Sequence, residues 1–143
     1  MTFNIDWELD ESDTVSANSL LGNITLSDGV RFVEEKSVYL DSWLEALLKA
    51  AQLNITSSAD ATISVAEAPR PLHLFRNDDK LHIVTTSGRE VVADSPDSFR
   101  NAVRGASARF LSRTSVLEDA PENDTLRSIR TLLEELEGPL QKC

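Results

Sequence analysis

Apolar and polar residues alternate cleanly at the start of the chain. Phe3, Ile5, Trp7 and Leu9 share one parity, and Asn4, Asp6, Glu8 and Asp10 share the other. A period of two predicts a strand with one buried face. A second apolar run, Val15 to Leu26, is interrupted by Gly22. Asp28-Gly29 then offers a hairpin turn into Val30-Arg31-Phe32-Val33. The first third of the chain therefore reads as three or four short strands. Near Tyr39 the period changes. Trp43, Leu44, Leu47, Leu48 and Ala51 recur at helical spacing behind Asp41, which predicts a helix over Asp41–Leu53 and a Ser/Thr-rich loop over Asn54–Asp60.

Strands follow at short intervals. Thr62–Glu67 and Leu72–Phe75 flank Pro69-Arg70-Pro71, Asn77-Asp78-Asp79 turns the chain into Leu81–Thr85, and Ser87-Gly88 turns it into Arg89–Ala93. This spacing predicts an antiparallel meander. Ser95-Pro96 supplies an N-cap followed by proline at the first helical position, and Phe99, Ala102, Val103, Ala106, Phe110 and Leu111 form the apolar stripe of the helix it opens. Leu126, Ile129, Leu132, Leu133 and Leu136 repeat the stripe, with Gly138-Pro139 as its expected stop. The expected fold class is α+β: an antiparallel sheet of N-terminal strands plus a central meander, with three helices packed on one face, in a single domain over residues 1–143.

Composition adds a bias of charge. Against 14 Lys plus Arg stand 24 Asp plus Glu, a net charge of −10. That balance argues against a dedicated nucleic-acid binder, whose affinity rests on neutralising phosphates, and against anionic membrane surfaces. The first residues lack the basic and apolar regions of a signal peptide, and no run approaches the ~18 apolar residues of a membrane helix, so the expectation is a soluble, cytoplasmic protein. A single cysteine, Cys143, excludes an intrachain disulfide and a Cys-rich zinc site.

Catalytic chemistry finds little material. His73 and His82 are the only imidazoles, and a turn centred on Asn77–Asp79 sets them opposite each other across the hairpin. Two facing histidines make half of a metal site, but no third ligand stands at a fixed local spacing, and HExxH, CxxC and HxH are absent. A half-exposed cross-strand pair is the better account, so no metal is expected. No Gly-x-Ser-x-Gly elbow, P-loop or dinucleotide fingerprint occurs. Adjacent acids such as Asp78-Asp79 and Glu134-Glu135 belong in solvated turns and faces rather than in the dry cleft that acid–base catalysis requires. The expectation is a protein without enzymatic activity and without a cofactor.

Resolved along the chain, the charge is uneven. Ten acids and three bases over residues 1–50 give −7, while seven against five over 51–100 give −2 and seven against six over 101–143 give −1. The densest part is Asp6, Glu8, Asp10, Glu11 and Asp13, ahead of the first basic residue, Arg31. On a strand, Asp6, Glu8 and Asp10 project from one face about 6.6 Å apart, twice the rise per residue. A row so spaced attracts a basic protein surface and speeds its association, although charged solvent faces also serve simply to discourage edge-to-edge aggregation. With no nearby cation to relieve the row, it is the candidate binding face, and Asp78 and Asp79 are secondary candidates. Trp7, on the parity of Phe3 and Ile5, is expected in the core. Arg100, Arg104, Arg109 and Arg113 form two i, i+4 like-charge pairs on one helix. They suit phosphate or RNA, or, more simply, acids elsewhere in the chain.

Between Ser37-Val38-Tyr39-Leu40-Asp41-Ser42-Trp43-Leu44 and Val84, the chain resembles immunity proteins of bacterial toxin systems, most closely those of contact-dependent growth inhibition. The features that carry this are strands followed by a short helix opened by an aromatic and a Ser-Trp-Leu, then a hairpin with Leu72, Leu74, Phe75, Leu81 and Ile83. The resemblance implies a cytoplasmic protein that binds and blocks a cognate toxin domain. Many such toxins are basic nucleases, which matches an acidic inhibitor. The expected partner is thus a basic toxin domain, met by a monomer, with a dimer left open. The alternative is an acidic, dimeric secretion chaperone for an effector protein, which would expose sizeable apolar surface.

Overall fold

In this computed structural model the described residues are 3–9, 20–56, 61–65, 68, 70–77, 80–115 and 123–141. The first alternating segment is strand β1, Asn4–Leu9, with Ile5 and Leu9 buried and Asn4, Asp6 and Glu8 exposed. It pairs antiparallel with β2, Leu21–Ser27, which in turn pairs with β3, Phe32–Tyr39. Gly29 takes φ +90 in the connecting turn, the left-handed backbone that the Asp-Gly pair anticipates. Between Gly22 and Ile24 the register slips, so that Asn23 faces both Lys36 and Ser37. Ser37 absorbs this bulge at φ +55, and its N–H donates to Asn23 Oδ1 at 3.1 Å.

Helix α1, Leu40–Thr56, begins where β3 ends and buries Trp43, Leu44, Leu47, Leu48 and Ala51. It runs past the expected end at Leu53 to Thr56, and the remainder of the expected Ser/Thr-rich loop, residues 57–60, lies outside the described residues. The chain then forms a second sheet of β4 (Ala61–Ile63), β5 (Leu72–Asn77), β6 (Lys80–Val84) and β7 (Glu90–Ala93), antiparallel and in sequence order. Helix α2, Pro96–Thr114, starts as its sequence directs: extended Ser95 accepts a hydrogen bond from the Ser98 N–H, with proline at the first helical position. Helix α3, Asp124–Gln141, is capped by Asn123, whose Oδ1 accepts from the Leu126 N–H at 2.9 Å.

The fold is α+β, with three departures from expectation. The strands form two sheets rather than one, of three and four strands. Their facing edges, β3 and β7, are joined by side chains: Asp28 Oδ2 accepts from the Val92 N–H at 2.9 Å, and Thr85 Oγ1 donates to Glu35 at 3.0 Å. Helices α1 and α2 lie on the sheets, but α3 packs chiefly on α1 and α2. Its start is tied to that of α1 through the Asp41–Asn123 side-chain hydrogen bond. Helix α3 also continues through Gly138-Pro139 to Gln141. Trp43, Phe99 and Phe110 are the largest buried side chains of the common core, each worth roughly 1.5–3 kcal/mol of burial.

Candidate partner-binding face

The inner side of the three-stranded sheet is closed by Ile5, Leu9, Ile24, Leu26 and Val33, packed toward the helices. Among the described residues no helix covers its outer side, where successive side chains alternate outward and the outward positions are at least partly exposed. The register sets three rows across it: Asn4–Ser27–Phe32, Asp6–Thr25–Glu34, and Glu8–Asn23 with Lys36 and Ser37 at the bulge. Asp6 and Glu8 thus stand on one uncovered face, as the strand period predicts, and Glu34 joins them from β3. A signal for Glu34 was present in the sequence, since Phe32, Glu34 and Lys36 share a parity opposite to buried Val33.

Asp10, Glu11, Asp13, Asp78 and Asp79 lie outside the described residues. For Asp6, the expectation of an unrelieved row is overturned. Arg109, reaching across from α2, places Nη2 3.4 Å from Asp6 Oδ1 and 3.0 Å from the Ile5 carbonyl. Lys36 lies 3.7 Å from Glu34. Both pairs are solvent-exposed, so each contributes less than about 1 kcal/mol and leaves the carboxylates accessible. Arg109 stands 103 positions from Asp6, a distance at which no local pattern signals a contact. Of the other α2 arginines, buried Arg100 donates to the Leu136 carbonyl at 2.6 Å and Arg104 to Asn101, so neither meets an acid through these bonds.

Trp7 is half-buried rather than fully in the core. Its ring meets Phe110 edge-on at 5.3 Å and its indole N–H donates to the Ala106 carbonyl at 3.0 Å. It borders a recess of about 750 Å3 at the bulged end of the sheet, shared with Glu8, Asn23, Lys36, Ser37 and Arg113.

The turn between β2 and β3 is built around Asp28. Its Oδ1 accepts from the N–H groups of Val30 at 2.8 Å and Arg31 at 2.7 Å, while Oδ2 takes Val92. Burial alone would raise the pKa of this carboxyl, but the three N–H groups and the Arg31 guanidinium outweigh it and hold the pKa below the ordinary value. Beside this fixed turn stand Val30, 77% exposed, and Phe32, 68% exposed, the large apolar side chains that the described residues leave in solvent.

The histidines do not face each other. Asn77 pairs with Lys80, so the connection between β5 and β6 is shorter than expected; His82 lies opposite Phe75 and His73 opposite Val84. Phe75 stacks on His82 at 4.7 Å and meets His73 edge-on, and His82 Nδ1 lies 3.2 Å from Glu90. Among the described residues no group of three His, Cys, Asp or Glu is placed to hold a metal ion, and no helix is long and apolar enough to cross a membrane. No protein-family model, curated protein or solved structure matches the chain. Fold and surface together define an α+β protein in which, among the described residues, the outer face of β1–β2–β3 is left without a helix and bears carboxylates.

Proposed function

We propose that this protein is an immunity protein: it binds a cognate, basic toxin domain, of nuclease type, and neutralises it by masking the active or substrate-binding surface. The observation that carries the reading is the outer face of β1–β2–β3. There Asp6, Glu8 and Glu34 remain accessible on a rigid sheet, in a chain whose net charge is −10 and whose first fifty residues hold −7 of it. Such a surface draws a cationic one and raises its association rate. The likeness of residues 37–84 to immunity proteins of contact-dependent growth inhibition supports the same reading. Against a chaperone that wraps an apolar segment stands the small extent of exposed apolar surface, Val30 and Phe32 among the described residues.

The test is co-expression with the C-terminal domain encoded by the adjacent upstream reading frame. The chain should restore growth and bind that domain one to one, with an affinity that falls as salt rises. Growth arrest unrelieved by the chain, with no complex on gel filtration, refutes the reading.

A further inference from the structure

Val30 and Phe32 stand in solvent where an isolated apolar residue would be unremarked, yet their setting is unusual. They follow Asp28 by two and four residues, and its side chain takes three backbone N–H groups and pins the turn to β7. Asp28 N–H also donates to the Arg31 carbonyl at 3.1 Å, and Gly29 N–H to Ser27 Oγ, so the turn is hydrogen-bonded from both ends. An exposed aromatic on a backbone already fixed loses little conformational freedom when it is covered, which is what makes an anchor strong. Phe32 shares its face with Glu34 and, two strands away, Asp6.

We infer that Val30 and Phe32 form the apolar anchor of a protein–protein interface, whose occupant is a basic protein with a shallow apolar depression ringed by lysine or arginine. This rests on the proposed function for its partner class, but names residues and a division of labour that the charge alone does not. The carboxylates steer the encounter and act on the association rate; the Phe32 ring, desolvated only in the complex, sets the dissociation rate. Charge decides the occupant. A second copy of this chain brings another −10 to a face holding Asp6, Glu8 and Glu34, whereas a cationic partner gains at long range and covers the ring once docked.

To test this, the photo-crosslinking residue benzoylphenylalanine is placed at position 32 of the full chain, and in a control at Thr131 on the exposed side of α3. Irradiation in the source cell is followed by mass-spectrometric identification of the adduct. The protein found is purified, and its binding rates are measured against the wild type, Phe32→Ser and Val30→Ser/Phe32→Ser. The expected result is a cross-link from position 32 alone to a protein of net positive charge, with Phe32→Ser raising koff at least tenfold and leaving kon within about twofold. No adduct from position 32, an adduct with a second copy, a neutral or acidic partner, or an unchanged koff overturns the inference. Circular dichroism and urea midpoints matching the wild type exclude misfolding of the variants. A basic partner that is no toxin keeps this surface and removes the immunity reading; a toxin neutralised equally by Phe32→Ser does the reverse.

Discussion

Replacing Asp28 by alanine should destabilise the protein more than any other single change at its surface. The carboxylate has three backbone donors, and they are not equivalent. The N–H groups of Val30 and Arg31 lie on an exposed turn, where water takes over when the side chain goes, so their joint loss costs about 0.5–1.5 kcal/mol. The Val92 N–H lies part-buried at the junction of the two sheets and has its acceptor in Oδ2 at 2.9 Å. Leaving such a donor without a partner costs about 1–3 kcal/mol. The expected loss is therefore about 1.5–4.5 kcal/mol, a large part of the 5–15 kcal/mol typical of a domain. Asp28→Asn keeps one acceptor oxygen but presents an NH2 group on its other side, and should fall about midway.

Urea unfolding of the wild type and both variants measures this, with an unchanged m-value showing that the same two states are compared. Amide exchange at Val92 should accelerate more than at core strand amides. The pH dependence has a definite sign. With its folded pKa held below the unfolded value of about 3.9, Asp28 contributes stability that is present above that value and lost as pH falls through the folded pKa. The gap between wild type and Asp28→Asn should thus be constant near neutrality and close in acid. A loss under 0.5 kcal/mol, or Val92 exchange unchanged in Asp28→Ala, would refute the role given to this side chain.

Asp41 should show the opposite slope: burial pushes its pKa up against the N–H of Ser42 and the side chain of Asn123, so its contribution is full in acid and is lost as pH rises through the folded pKa. The wild type should then lose ground to Asp41→Asn as pH rises above the unfolded value of about 3.9, read from paired urea curves. Gly22→Ala places a Cβ 2.2 Å from the Glu8 carbonyl oxygen, backbone against backbone, and should cost upward of about 2 kcal/mol with disturbed β1–β2 amide shifts. Gly105→Ala adds a methyl that meets nothing within 4 Å on exposed α2 and should stabilise by about 0.5–1 kcal/mol, raising the melting temperature by a few degrees. Asp6→Lys/Glu8→Lys should lower kon for the partner severalfold and flatten its salt dependence while stability moves by less than about 0.5 kcal/mol; unchanged kon removes this face as the site.

Where short-range physics governs, the chain is readable. The parity of β1, the Ser95-Pro96 start of α2 and the Asp28-Gly29 turn were each visible because strand alternation, capping and positive φ are decided by residues within a few positions of one another. The histidine register was not, since one residue more or less in a hairpin connection shifts every pairing and both connections suit Asn77-Asp78-Asp79. The separation into two sheets was equally hidden. The seam between the two is joined by Asp28 reaching Val92 and Glu35 reaching Thr85, contacts made by side chains across long stretches of sequence. Helix α1 outran its expected end because nothing in Asn54-Ile55-Thr56 forbids a further turn, and loop-like composition is only a preference.

The same non-local contacts change what the acidity of this chain can do. A row of carboxylates without cations would be a generic attractor. Arg109 and Lys36 instead tether Asp6 and Glu34 loosely, at 3.4 and 3.7 Å, so each acid already has a partner that a competing cation must displace. Exposed pairs of this kind exchange at little cost, but they trim the surplus attraction of the face and leave less of the binding energy to charge. Charge on this surface is therefore suited to recruiting a partner rather than to holding it, and the holding falls to a contact that salt does not screen. Among the described residues, Phe32 is a large apolar side chain that this face leaves in solvent. An affinity for the true partner that survives high salt while kon falls is the kinetic behaviour this arrangement requires; an affinity that vanishes with kon as salt rises would mean that the carboxylates act alone.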